Sequence, residues 1–214
     1  LKGLSGGQVI TVGSPEHSSA KENKLWKRMR RLYEGVSRIN HIPIIGNFLF
    51  GLLDRIQDIS PYYPFRDLSK PTLQVAYMAS LIKKGLGQSL VDLVKPTKLP
   101  IVSTYFTPAI AADTIGYSPV YLLVTDTDIN RIWVAVDPSK GKLIYFAPCG
   151  HALQRLKQYG VPDERIFLTG FPLPNENLGG PDLEILKLDL AQRLLYLDPN
   201  ERFWSVHRVE AEYY

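Results

Sequence analysis

Short apolar, β-branched runs recur along this chain with helical patterns between them, and that alternation limits the fold more than any other feature of the sequence. The runs are Gln8 to Val12, Leu99 to Thr104, Pro119 to Thr125, Lys142 to Ala147 and Arg165 to Thr169. Each is short and predominantly apolar, and most are bounded by Gly, Pro, Ser or Asp, which is how strands covered on both faces read. Helical spacing fills the intervals. Asn23 to Ile39 carries Leu25, Met29, Leu32 and Val36, and Gly150 to Tyr159 sets Leu153 and Leu156 on one face. Thr72 to Val94 carries Leu73, Ala76, Leu81, Leu90 and Val94, interrupted at Gly85 and Gly87. Strands alternating with helices predict an α/β, Rossmann-like, mostly parallel sheet with helices on both faces and right-handed crossovers.

The stretch from Asn40 to Pro71 is too long for a minimal crossover. It holds Phe48, Phe50, Tyr62, Tyr63 and Phe65 among Pro43, Pro61, Pro64 and Pro71. An insertion of this kind carries function or adds packing helices, and both readings stand. After Pro174, Asn175 to Pro181 is a loop by composition, and Asp182 to Leu195 reads as a helix with Asp182 as its N-cap. This predicts a domain over 1–174, with a basic and aromatic insertion at 24–71, and a linker over 175–214. Leu1 stands where a start Met would, and Glu210 to Tyr214 reads as an element cut short, so the sequence is expected to be a piece of a longer chain. Its 214 residues, 45% hydrophobic and 21% charged, suffice for one α/β core.

The net charge of +4 is unevenly spread. Lys21, Lys24, Lys27, Arg28, Arg30, Arg31 and Arg38 crowd one short stretch. Such a cluster serves nucleic acid, a phosphate-bearing substrate or an anionic membrane, or is simply a solvated helix face. Trp26 and the apolar Ile42 to Leu53 beside it describe an interfacial element, with Lys24, Trp26, Lys27, Arg28, Arg31, Phe48 and Phe50 as the expected membrane contacts. No nucleic-acid-binding motif accompanies the cluster, so nucleic acid is not expected as a partner. No apolar run reaches the roughly 18 residues a membrane-spanning helix needs. Cys149 is the sole cysteine, which excludes an internal disulfide and fits a reducing cytoplasm. No Cys or His spacing calls for a metal. His151 opens a helix after Ala147-Pro148-Cys149-Gly150, where it is either a surface residue or part of a helix N-terminus that meets an anion.

The chemistry-bearing stretch is Val124 to Trp133, directly after a strand. Ligands of open α/β sheets bind outside the carboxyl ends of the strands, so Asp126 and Asp128 are placed to hold a hydroxyl or act as a base. Ordinary turn chemistry explains the same two residues: Asp126 capping the turn and Asp128 facing water.

Val124-Thr125-Asp126 followed by Trp133, Lys142-Leu-Ile-Tyr-Phe-Ala-Pro148, Leu156-Lys-Gln-Tyr-Gly160-Val-Pro162 and Arg165-Ile-Phe-Leu-Thr-Gly170-Phe-Pro172 form an ordered series. The series resembles the N-terminal domain of the GT-B glycolipid glycosyltransferases, that is, monogalactosyldiacylglycerol synthase and the processive diacylglycerol glucosyltransferases. It is more distantly similar to the peptidoglycan lipid N-acetylglucosaminyltransferase. The likeness runs over roughly Leu99 to Pro174. It implies one half of a GT-B fold that presents a lipid or lipid-like acceptor, while a nucleotide sugar binds a second domain beyond Tyr214. No cofactor is implied in this half, which alone should be inert, and the protein should sit peripherally on the cytoplasmic side of an anionic membrane. Asp126 would be catalytic, gripping or activating the acceptor, with Thr104, Thr107, Asp128, Asn130 and Arg131 around the acceptor. Asn130 stands where bacterial members carry a His, and an amide takes up no proton at neutral pH. The family's Gly-rich loop would precede Leu1. These departures keep open a second expectation, a non-catalytic descendant that binds a ligand or partner.

Overall fold

The computed structural model describes residues 8–39, 68–197 and 200. It divides into two compact units, Leu1–Phe171 and Pro172–Tyr214. The first unit opens with helix α1 (Ala20–Ile39), followed by α2 (Leu73–Lys83) and α3 (Gln88–Val94). The break between α2 and α3 falls where Gly85 and Gly87 adopt φ of +104° and +85°, conformations that side-chain-bearing residues rarely reach. A Cβ on Gly87 would also lie 2.5 Å from the Ala111 methyl, so the close approach admits glycine alone.

Strands β1 (Ile101–Ser103), β2 (Val120–Leu123), β3 (Ile144–Ala147) and β4 (Ile166–Leu168) form one parallel sheet in the order β1-β2-β3-β4. The register pairs Ser103 with Leu122, Leu123 with Phe146, and Ala147 with Leu168. All four carboxyl ends therefore lie along one edge. With its flanking helices the sheet has the α/β, Rossmann-like arrangement read from the sequence. The two faces are unequally covered. Ile101, Val120, Leu122, Tyr145, Ala147 and Ile166 are buried on one, whereas Val102 and Phe167 on the other are exposed and Tyr121 stacks on Phe146 at 5.7 Å, half-buried.

Two elements of the first unit depart from the sequence reading. The helix between β1 and β2, α4 (Phe106–Ile115), gives no amphipathic signal because every residue from Phe106 to Ala112 is buried. Pro108 sits in its first turn, where the missing N–H would have no helical acceptor. Gly116 closes it at φ +94°. Conversely, Gln8–Thr11 is irregular, not a strand. Ile10 and Val12 pack against the core while Val9 is 73% exposed, and Gly13 turns the chain away at φ +78°.

After β3 comes α5 (Gly150–Gln158). The second unit contains α6 (Asn175–Leu178) and α7 (Glu184–Leu197); α6 is a single helical turn where composition read a loop, opened by Pro174 and closed by Gly179 at φ +80°, and too short to show a periodic pattern. Leu183 at φ +58°, and not Asp182, accepts the first bond of α7, from the Lys187 amide at 2.9 Å. No helix among the described residues is long and apolar enough to cross a membrane.

Glu22, 3% exposed, anchors α1. Its Oε1 accepts from the Gly87 amide and the Trp26 indole, each at 2.9 Å, and its Oε2 accepts from the Ser89 amide at 2.9 Å. The carboxylate thus takes up free amides at the positive end of α3, where an anion is favoured. Removing it leaves three donors short of a partner, and a hydrogen bond to a charged group contributes about 1.5–3 kcal/mol. Glu22→Ala should lower unfolding stability by about 3 kcal/mol or more, measured by chemical denaturation, while Lys24→Ala on the exposed side should change it by less than about 0.5 kcal/mol.

Candidate functional site at the carboxyl edge of the sheet

The parallel register brings the connections after all four strands to one edge: Thr104 after β1, Val124 to Asn130 after β2, Pro148 to His151 after β3, and Thr169 after β4. The connection after β2 is irregular and is tied to the start of α5. Cys149 Sγ donates to the Thr127 carbonyl at 3.3 Å. Asp128 is the centre of the tie. Its Oδ1 accepts from Arg155 Nε at 2.9 Å and from the Ile129 amide at 2.9 Å. Its Oδ2 lies 3.1 Å from His151 Nε2 and 3.4 Å from Arg155 Nη2. His151 and Arg155, four positions apart on α5, lie on one helical face and close on the same carboxylate.

Burial pushes the Asp128 carboxyl up, but the hydrogen bonds and positive charge supplied by Arg155 and His151 outweigh it and hold the group below its ordinary value. The Asp128 carboxylate thus meets side chains of the first turns of α5, His151 and Arg155, rather than the amides that open the helix.

The other candidate residues are distributed as follows. Asp126 is exposed and makes no hydrogen bond or ion pair among the described residues; Thr104 is exposed as well. Asn130 is half-buried with its Oδ1 unpaired among the described residues. Thr107 is fully buried in the first turn of α4, its hydroxyl likewise unpaired among the described residues. Arg131 is 2% exposed, and its guanidinium donates to the carbonyls of Ser69 (3.0 and 3.1 Å), Val134 (2.7 Å) and Val136 (3.2 Å). The edge therefore brings together Asp126, Asp128 and Thr104 on exposed or half-exposed loops, while Arg131 and Thr107 face inward. His151 and Arg155 were not grouped with Asp128 by the sequence reading. Their spacing of four on a helix, opposite an Asp at a neighbouring strand end, was the available signal.

Of the expected membrane contacts, Lys24, Lys27, Arg28 and Arg31 are exposed along α1. Trp26 is half-buried, with its ring against Gly13 and its indole N–H on Glu22. Phe48 and Phe50 lie outside the described residues. Among the described residues no group of three or more His, Cys, Asp or Glu could hold a metal ion.

The class that the fold and this edge define is an α/β, Rossmann-like domain with polar loops at the carboxyl ends of a parallel sheet. Compared with protein-family models, curated proteins and solved structures, the chain matches none.

A depressed carboxyl value in the fold means that the Asp128 charge stabilises the protein above the ordinary carboxylate value of 3.8, and that this stabilisation is lost as pH falls through the depressed value. Asp128→Asn should accordingly destabilise the protein at neutral pH. The gap from the unaltered protein, followed by denaturant midpoints, should close on acidification below about pH 4. A gap that persists undiminished to about pH 2 would show that the Asp128 charge contributes nothing.

Proposed function

We propose that this chain is the acceptor-side half of a GT-B-type glycosyltransferase, moving a sugar from a nucleotide-sugar donor to a lipid or lipid-like acceptor. The observation that carries the reading is the convergence of Thr104, Asp126 and the Asp128–His151 pair along one carboxyl edge of a parallel sheet, the edge at which such sheets bind ligands. The acceptor hydroxyl attacks the anomeric carbon, the bond from that carbon to phosphate breaks, and the nucleoside diphosphate leaves with the electron pair. This edge has to hold the hydroxyl and accept its proton. Asp126, exposed and without an internal partner among the described residues, is the carboxylate free to grip the acceptor. Stabilisation of the leaving group falls to the nucleotide-sugar half.

Asp126→Asn keeps the shape and removes the charge. In the full-length protein it should lower kcat about a hundredfold with donor affinity nearly unchanged, read from initial rates of transfer and from donor binding. Near-normal turnover in the variant would make Asp126 a turn residue and remove it from the site.

The acceptor's surface follows from α1, whose exposed cations Lys24, Lys27, Arg28 and Arg31 suit anionic headgroups at the cytoplasmic face of a membrane. Changing these four to Gln should lower co-sedimentation with anionic vesicles at least tenfold, and added salt should do the same to the unaltered protein. Equal binding to neutral and anionic vesicles would rule out this electrostatic contact.

A second reading, a non-catalytic domain that binds a ligand or partner, is favoured by the engagement of Arg131 with carbonyls of its own chain and by an amide at Asn130. Failure of the full-length protein to bind any nucleotide sugar would decide for it.

A further inference from the structure

We infer that His151 is the proton acceptor of this site and that Asp128 fixes the tautomer in which it works. The inference rests on the glycosyl-transfer reading above and adds to it the destination of the proton.

Asp128 holds two partners at once. Arg155, 9% exposed, is aligned on it through Nε at 2.9 Å and keeps it ionised. An ionised carboxylate only accepts hydrogen bonds, so the 3.1 Å contact between Asp128 Oδ2 and His151 Nε2 requires a proton on Nε2. A neutral imidazole carries one ring proton, which leaves the lone pair on Nδ1. The side chain of His151 is 60% exposed, so the ring bearing that lone pair stands open at the carboxyl edge of the sheet. Orientation of a histidine by a carboxylate on its far nitrogen is the arrangement that both fixes the basic nitrogen and stabilises the cation formed when it takes a proton.

The groups around His151 come from both elements packed there. From the loop after β2 comes Asp128; from α5 comes Arg155 on the same carboxylate, and at the N-cap of α5, two residues before His151, stands Cys149, whose thiol donates to the Thr127 carbonyl. Asn130, on the same loop, has no basic nitrogen to offer. In the step itself the acceptor O–H bond breaks and its proton passes to His151 Nδ1. The oxygen bonds to the anomeric carbon of the nucleotide sugar, and the nucleoside diphosphate departs with the electrons of the broken bond. Asp126 then orients the hydroxyl and His151 accepts the proton.

The test has two arms. The first reads the ring directly, by ¹⁵N NMR of the histidine side chains at neutral pH in the 214-residue chain, and does not depend on transfer. His151 should show a protonated Nε2 and an unprotonated Nδ1, and Asp128→Ala should abolish that preference. A proton on Nδ1 in the unaltered chain would overturn the proposal and leave the glycosyl-transfer reading standing. The second arm uses the full-length protein with a nucleotide-sugar donor. His151→Gln keeps a donor for Asp128 but has no basic nitrogen; it should lower kcat about a hundredfold, with KM little changed, and remove the acid limb of the pH–rate profile. Asp128→Asn should lower kcat about tenfold. A His151→Gln enzyme with near-normal kcat and an intact acid limb would overturn the proposal alone. No transfer by the unaltered protein with any nucleotide sugar would overturn both.

Discussion

A buried guanidinium holds together the part of this fold that has no regular structure of its own. The connection from β2 to β3 is neither helix nor strand beyond short 3₁₀ turns at Arg131–Trp133 and Pro138–Lys140, so its carbonyls need donors from elsewhere. Arg131 supplies them to Val134 and Val136 and reaches Ser69 ahead of α2, with its charge 6.0 Å above the centre of the Tyr159 ring. Neighbouring elements supply the rest. The Tyr159 hydroxyl donates to the Ile129 carbonyl at 2.6 Å, Arg165 donates to the carbonyls of Gly141 and Pro138, and Asp113 accepts from the Lys142 amide at 2.7 Å. A buried charge is costly to leave without partners, and Arg131 meets that demand with four hydrogen bonds to three backbone carbonyls.

The crossover so fixed presents its first half, Thr125 to Asn130, at the carboxyl edge. Asp128 and Cys149 fasten that half to α5, which itself packs on β3 and β4. The candidate residues therefore sit on a loop whose backbone is held from both sides, and a site gains from that because little has to be ordered when a ligand arrives. Asp126 is left outside this network, and the His151 ring, tied to it through Asp128, stays on its solvent side with its side chain 60% exposed. Division of labour follows from burial alone: Arg131, Arg155 and Tyr159 position, while the exposed groups are those able to touch a ligand.

Much of this was legible in the sequence, and the exceptions share a cause. Strands of three or four residues were found because their short apolar runs are mostly bounded by Gly, Pro, Ser or Asp, and a parallel sheet followed from their alternation with helices. Helix α4 escaped because periodicity detects a difference between faces, and a helix buried on every side from Phe106 to Ala112 has none. Gln8 to Val12 has strand composition, but composition does not supply a neighbouring strand. At the site, Asp126 and Asp128 were visible as acids at a strand end, whereas joining Asp128 to His151 and Arg155 needs the β2–β3 register as well as their spacing of four on a helix, and only the spacing is local. Arg131 reads in sequence as one more polar residue of the loop, and its depth is a property of the tertiary fold.

The basic helix shows how one buried acid shapes a surface. Between Ala20 and Arg31 the only carboxylate is Glu22, and it is turned inward onto the amides of Gly87 and Ser89. Leu25 and Met29 follow it on the same buried side, leaving Lys21, Lys24, Lys27, Arg28 and Arg31 outward with no acid among them. Glu22 also binds the Trp26 indole, so the aromatic group that would anchor an interfacial helix is half-buried against its own domain. The described part of α1 is left with an attraction that is electrostatic, about 1 kcal/mol per Lys or Arg near an anionic bilayer, and little apolar insertion to add to it. An interaction of that kind is reversible, graded by surface charge and weakened by salt.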